Sequence, residues 1–380
     1  MRKRVKINSK KQNEKINNLI RIACIASALA AYSSSIYAAV VGNNTLPTRH
    51  DWLHGQGTIT QNNNIMNIVQ NGQNAVIKWD DFSIGANAEV NFSRENGKNF
   101  NVLNYVDSGK VSQIYGGINA KEGNVFVVNT AGAIIGKSAQ INVGSLYVSN
   151  KKMDNEQLKA FYTGGANPTI NGSVTGAEIM SLGNINANKV TFDGDRIVLD
   201  INRLVTNGEQ MVAGNIIVNT SNKDNIVLGY DAYDEEKGYE YTDEDEDTYK
   251  NNKNTVIATV NGVSFTKENG YMWVKTLDQL QAMNTNLAGN YALNDSIDAI
   301  PTNEWNGGKG FKSIGSIGEE ENPFTGKFDG LDYNIFGLTI NLDGEENVGL
   351  FGYTDGATIN NVTLVAGNIT GGDNVGSVVG

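Results

Sequence analysis

Short runs of β-branched and aromatic residues, split by Asn and Gly, recur along the chain from Gly57 onward. Examples are Thr58-Ile59-Thr60, Ile65-Met66-Asn67-Ile68-Val69, Ala75-Val76-Ile77-Lys78-Trp79 and Ala88-Glu89-Val90-Asn91-Phe92. Each run is three to six residues long with partial period-two alternation, and turn signals such as Asn71-Gly72, Asn96-Gly97 and Gly116-Gly117 separate them. Alternation of this kind suits a pleated strand, and Asn and Gly accept the left-handed turns that short strands need. Between Asn124 and Leu204 the apolar runs arrive every five to ten residues. A β-sandwich prefers longer strands joined by hairpins. Three short strands per turn of a parallel coil give this rhythm, and each turn then buries its apolar side chains against its neighbours. Asn at the turns fits a coil as well, because stacked Asn side chains can bond along the stack.

The expected fold is therefore all-β: a single-stranded, right-handed parallel β-helix, a solenoid of the pectin-lyase-like kind, with short extra strands and a small helix. Met153 to Phe161 (MDNEQLKAF) is the one stretch of the N-terminal half with helical character, and it reads as a surface excursion. Trp273 to Met283 (WVKTLDQLQAM) has apolar residues at helical spacing and reads as a short amphipathic helix. Asn347-Val-Gly-Leu-Phe-Gly352 and Asn374-Val-Gly-Ser-Val-Val-Gly380 are near-repeats 27 residues apart. No polar capping element follows the second one, so a longer natural chain is expected.

The charge is unevenly placed. Residues 1–38 hold eight of the 30 basic residues and one of the 41 acids, which leaves 22 against 40 and a charge of −18 on the rest. So acidic a body excludes nucleic acid as a natural partner, since phosphate backbones reward Lys and Arg clusters. The basic opening, MRKRVKINSKKQNEKINNLIR, runs into the apolar, small-residue segment Ile22 to Ala38. That is the pattern of a secretory signal peptide over 1–38, cut between Ala38 and Ala39. Its apolar core is shorter than the ~20 residues of a membrane span. Cys24, the single cysteine, lies inside it, so the mature chain has no thiol chemistry.

From Asp231 to Asn254 the chain is acidic, with ten acids and one Lys before Thr248. The plainer reading is a solvated insertion. The sharper one is a calcium site on Asp243, Asp245 and Asp247, which alternate as loop ligands do. Against it, no Gly follows at the sixth loop position, and Asn254 stands where a bidentate Glu would close the shell. No cofactor is expected. An enzyme is the rival class, because parallel coils also carry polysaccharide lyases and hydrolases. The two histidines, His50 and His54, have no Cys partner or nucleophile elbow near them, and no zinc spacing or phosphate loop occurs. Among many carboxylates nothing singles out a catalytic pair. The chain is read as a non-enzyme.

Three stretches carry a family resemblance: QNAVIKWDDFSIGANAEVNF (73–92), FNVLNYV (100–106) and GNVFVVNTAGAIIGKSAQINVGSLYVSN (123–150), with Leu46-Pro47-Thr48 before them. Together they resemble the N-terminal secretion domain of filamentous-haemagglutinin-type exoproteins, the passengers of two-partner secretion. The resemblance implies a secretion domain over 39–262, with the acidic insertion at 231–254, and a linker with a short helix over 263–290. It implies export by the general secretion machinery, then through a partner outer-membrane β-barrel transporter of a Gram-negative-type envelope. It also implies an adhesin at the cell surface with a receptor or glycan as its target, and a toxin-carrier stalk as the alternative. Asn101, Leu103, Asn104, Asn129 and Gly132 fall where the family is linked to transporter recognition. Where the family has Asn-Pro-Asn-Gly, this chain has Asn129-Thr130-Ala131-Gly132. Residues 291–380 resemble a different module, the GLUG repeats of bacterial surface proteins. The support is Trp305-Asn306-Gly307-Gly308, Phe311-Lys312-Ser313-Ile314-Gly315, Phe324 to Gly330, and the two Val-Gly repeats.

Overall fold

The structure, a computed structural model, describes residues 41–239, 252–317 and 321–380. The expected signal segment with its Ala38-Ala39 cut, and Asp243, Asp245 and Asp247, lie outside those residues. Residues Asn43–Gly380 form one compact unit.

That unit is mostly β-strand with few helices. It begins with β1 (Thr48–His54), β2 (Gly57–Asn62) and β3 (Ile65–Gln70). Next come β4 (Asn74–Asp81), β5 (Glu89–Arg94), β6 (Phe100–Val106), β7 (Ser112–Ile114) and β8 (Gly117–Asn129). β9 (Ala133–Ile135), β10 (Gln140–Ser149), α1 (Asn155–Thr163), β11 (Glu178–Ser181), β12 (Asn184–Asn186), β13 (Lys189–Asp193) and β14 (Arg196–Asp200) follow. β1 pairs antiparallel with β4, and β2 with β3. After these opening pairs the two large sheets are chiefly parallel. One runs β4-β6-β8-β10-β13 and on through Ile216–Asn219 to Val256–Val260. The other runs β7-β9-β11-β14 and on through Ile226–Tyr230, Tyr271–Val274, Asn290–Leu293 and Lys327–Asp329 to Thr358–Asn360. The chain visits the two sheets in turn, so each strand pairs with its equivalent one circuit away.

Register explains the short apolar runs. Val102, Val125, Leu146, Val190 and Ile216 occupy one column across five strands, and all are buried. Ile77, Asn104, Val127, Val148, Phe192 and Val218 make the neighbouring column. Full burial of each such aliphatic side chain contributes ~1.5–3 kcal/mol. The interior cluster continues from Leu46 to Phe351.

Two details differ from the sequence reading. The helix expected over Trp273 to Met283 is confined to Leu277–Ala282, while Trp273 lies in the fully buried strand Tyr271–Val274. Thr276 sets the helix start, because its side chain accepts the Gln279 N–H as an N-cap. The stretch 263–290, read as a linker, supplies that same strand to the second sheet, which passes through it without a break. The near-repeats stack in parallel: Val348 bridges to Val375, and Asn374 Nδ2 donates to Asn347 Oδ1 at 3.1 Å.

Candidate functional site

The candidates converge on β6 and on the turn after β8. In a strand, alternate side chains face opposite ways. Phe100, Val102 and Val106 therefore join the interior cluster, while Leu103 and Tyr105 point outward. Outward here does not mean solvent: all seven residues of β6 are buried. The cover is the excursion that contains α1. Leu158 and Phe161 on its inner face pack with Met153, Ile170, Val76 and Val128 against Leu103 and Tyr105. The Tyr105 hydroxyl donates to Met153 O at 3.1 Å and accepts from the Met153 N–H.

The sequence of the excursion dictates a helix at this place. Asp154 accepts the Gln157 N–H at 2.8 Å, and Gln157 Oε1 accepts the Asp154 N–H at 2.9 Å, a reciprocal capping box. The far end leaves carbonyls without helical partners. Asn74 Nδ2 supplies donors to Phe161 O, Tyr162 O and Gly165 O at 3.3, 3.0 and 2.9 Å. Asn101 Nδ2 reaches Ala166 O at 3.4 Å. These two residues belong to a ladder: Asn101 donates to Asn74 at 2.8 Å, Asn124 to Asn101 at 2.8 Å, and the Ser145 hydroxyl to Asn124 at 2.6 Å. Asn74 thus ties the stacked strands to the helix that covers them, and Asn101 ties them to the loop that follows it.

Asn104 does the opposite job, facing inward among apolar side chains. Its Oδ1 accepts the Trp79 indole N–H at 3.0 Å, and its Nδ2 donates to Phe126 O at 3.2 Å. The polar side chain satisfies a buried indole that would otherwise lose a hydrogen bond to water.

The Asn129–Gly132 turn is a corner between stacked strands. Asn129 Oδ1 accepts the Ala131 N–H at 2.8 Å, closing a local turn, while its Nδ2 donates to Lys110 O and Ser112 Oγ, each at 2.8 Å. Gly132 has φ +92°, and a Cβ there would sit 2.2 Å from Glu178 O. Only glycine fits both the backbone angle and the approach of the next strand. The turn closes without the Pro-Asn pair.

Electrostatics at the edge of this cover are closed as well. Lys151 Nζ lies 2.7 Å from Asp193 Oδ2, and the Tyr147 hydroxyl donates to the same oxygen. Burial, and then the adjacent Asp193 carboxylate, hold the Tyr147 phenol far above its usual range, so it stays a neutral donor. His54 stacks on Tyr162 and His50 tilts against Trp79. Among the described residues, no cluster of three or more His, Cys, Asp or Glu could hold a metal ion. Among them, too, no helix is long and apolar enough to cross a membrane.

The structure brings all five candidate residues into two packed networks. All are buried: Asn101 is 2% exposed, and Leu103, Asn104 and Asn129 are 0%; Gly132 is buried too. Sequence reasoning missed Asn74, Asn124 and Ser145. A signal for two of them was present, because Asn74, Asn101 and Asn124 each directly precede an apolar run.

Chiefly parallel stacked strands, covered on one outer face by a capped helix, define the class as a mostly-β repeat domain. The pattern of the TPS secretion domain family matches residues 38–309. The chain belongs to that family, the domain by which exoproteins are exported to the extracellular space in two-partner secretion. Among characterised proteins it is 29% identical to a heme/hemopexin-binding protein of Haemophilus influenzae over 176 residues, 45% of this chain and 19% of that one. It is 39% identical to halomucin of Haloquadratum walsbyi over 139 residues, 35% of this chain and 2% of that one. The chain thus matches only a small part of either relative's length. The HMW1 secretion domain from Haemophilus influenzae aligns with 84% of this chain and 100% of its own, at 18% identity and a TM-score of 0.34.

Proposed function

We propose that this chain is the leading part of a surface adhesin whose secretion domain is read by its partner outer-membrane transporter before it folds. The observation that supports this is the burial of Asn101, Leu103, Asn104, Asn129 and Gly132. A transporter that reads these side chains must meet them in an extended chain. Once outside, the opening strands stack as a right-handed parallel β-helix, and later turns add to that template. Each added turn buries apolar surface at ~25 cal/mol per Å2, which offsets the ordering of its residues. The domain acts as an address and a folding nucleus, and it performs no catalysis. Residues beyond about 290 continue the coil as a GLUG-type stalk, and adhesion to a receptor or glycan resides in the whole surface protein.

Secretion tests the reading. The chain is expressed with and without its partner transporter, and culture medium is assayed. Export that depends on the partner supports the proposal; equal release without it contradicts it. Restoring Thr130→Pro and Ala131→Asn raises the exported fraction if the turn is read as a linear motif. The restored pair keeps the Ala131 N–H position that Asn129 Oδ1 accepts and keeps Gly132, but it removes the Thr130 N–H that donates to Val106 O at 3.0 Å.

A further inference from the structure

A groove of about 520 Å3 lies on the outer face of β8, β10 and β12. Asn119, Asn142, Asn186, Asn188 and Asn207 line it, with Val143 and Ala187 among its walls and Lys121 and Glu122 beside them. Asn119, Asn142 and Asn186 stand in register on three successive strands, so their amides repeat every ~4.8 Å. They extend a second ladder in which Asn91 donates to Asn67, Asn119 to Asn91 and Asn142 to Asn119, at 3.1, 3.0 and 3.3 Å. The Asn207 backbone N–H caps the row on Asn186 Oδ1 at 2.9 Å.

Each amide has two N–H donors and two acceptor lone pairs. The ladder consumes one donor of Asn142 and one of Asn119, and it leaves the others facing the groove. The side chains of Asn188 and Asn207 have no hydrogen-bond partner among the described residues. Lys121 and Glu122, adjacent on β8, form no ion pair among the described residues, and their opposite charges leave the lining neutral. The site therefore offers a neutral row of donors and acceptors on a lining that is more polar than apolar.

That chemistry selects its ligand. A polyanion finds one Lys offset by one Glu. An extended peptide needs a free strand edge or an apolar anchor pocket. Here β10 is paired on both sides, as is β12, and Val143 and Ala187 are small and buried. Neighbouring hydroxyls on a sugar ring are donor and acceptor at once, as the amides are. The repeat between strands is close to the length of one pyranose unit in an extended β-linked chain. We propose that this groove binds a neutral β-linked oligosaccharide lying along the stacking direction, one sugar per amide row. Nothing in this proposal depends on how the chain is exported.

Calorimetric titration of the purified exported chain tests it. The probes are cellobiose through cellohexaose and the β-1,4-linked N-acetylglucosamine hexamer, with hexagalacturonate and a polar hexapeptide as contrasts. Affinity should rise with each added sugar until the amide rows are filled, then level off. Asn188→Ala and Asn207→Gly should each weaken binding by about five-fold, the worth of one neutral hydrogen bond. Asn207→Gly should leave the thermal midpoint unchanged, because φ +52° at Asn207 suits glycine. Three results overturn the proposal: no binding of either neutral hexamer, equal binding of the acid hexamer or the peptide, or binding that survives both substitutions.

Discussion

β6 and the last strands of the coil follow the same pattern with opposite outcomes. β6 is buried on both faces, whereas Thr358–Asn360, Thr363–Val365 and Asn368–Thr370 have no fully buried residue. The inward side chains of the late strands, Ile359, Leu364 and Ile369, are only partly covered. The inward face of a strand is shielded by the strands stacked on it, and the outward face by whatever lies over the sheet. Over β6, α1 and its loop provide a second core and a set of orphan carbonyls for Asn74 and Asn101 to bond. The late strands each stand at the end of their sheet, so their inward side chains pack against a stacked strand on one side alone. The excursion thus adds an outward core to β6, while the inward core of any strand depends on the strands stacked on both its sides. The family resemblance falls on the covered part.

The largest break in that comparison is at glycines with positive φ. Gly132→Ala forces a Cβ to within 2.2 Å of Glu178 O. The domain should lose ~3 kcal/mol or more, read as a lower midpoint in urea titration. Gly344→Ala, at φ +80° with open space around it, should cost only ~1 kcal/mol, measured by urea titration. Next in size, Leu103→Ala empties the core under α1 and should cost ~2–5 kcal/mol. Leu364→Ala, in a half-covered strand, should cost less than half of that. A loss of less than ~1 kcal/mol at Leu103 would show that the helix adds no core.

Asn104→Leu sharpens the point further. It strands the Trp79 indole N–H and should cost ~1–3 kcal/mol, visible as a change in indole exchange or fluorescence. Asn74→Ala acts locally. Amide exchange in Asn155–Thr163 should quicken while β10 stays protected.

These contrasts also mark what a sequence can disclose. The rhythm of short apolar runs reveals strands and parallel stacking, because one repeat of side-chain volume must match the next. Asn stacking is legible for the same reason. The two-faced burial of β6 is partly written in FNVLNYV, which has too many apolar residues for a strand with one wet face. Which residue covers it is not written there, since α1 lies 50 residues later and only its cap signals are local. Asn104 is the hardest to read. In a one-dimensional pattern it counts as polar and outward, and only the Trp79 indole across the strand pair explains its place inside. Trp273 misleads for a similar reason, since a helical spacing of apolar residues crosses a strand end and a helix start.

The smallest expected effect concerns pH. Asp200 is 3% exposed, and burial raises its carboxyl above the usual carboxylate range, with Lys275 and Arg203 opposing in part. Because the folded value lies above the unfolded one of ~3.9, the stability that protonation confers is full below that value and is lost as pH rises through the folded one. Asp200→Asn keeps an acceptor for the Asn202 N–H and removes the buried charge. It should raise the thermal midpoint slightly at neutral pH, with a gain that shrinks as the solution is acidified. A gain that grows on acidification would reverse the assignment.

The central claim is that the transporter reads side chains that the folded domain conceals. The direct measurement is the affinity of the partner's periplasmic domains for two forms of this chain. One is the native wild-type domain; the other is the same wild-type chain denatured in urea and diluted into the assay. The denatured chain should bind and the native domain should not. Binding of the native domain as tightly as the unfolded one would contradict it.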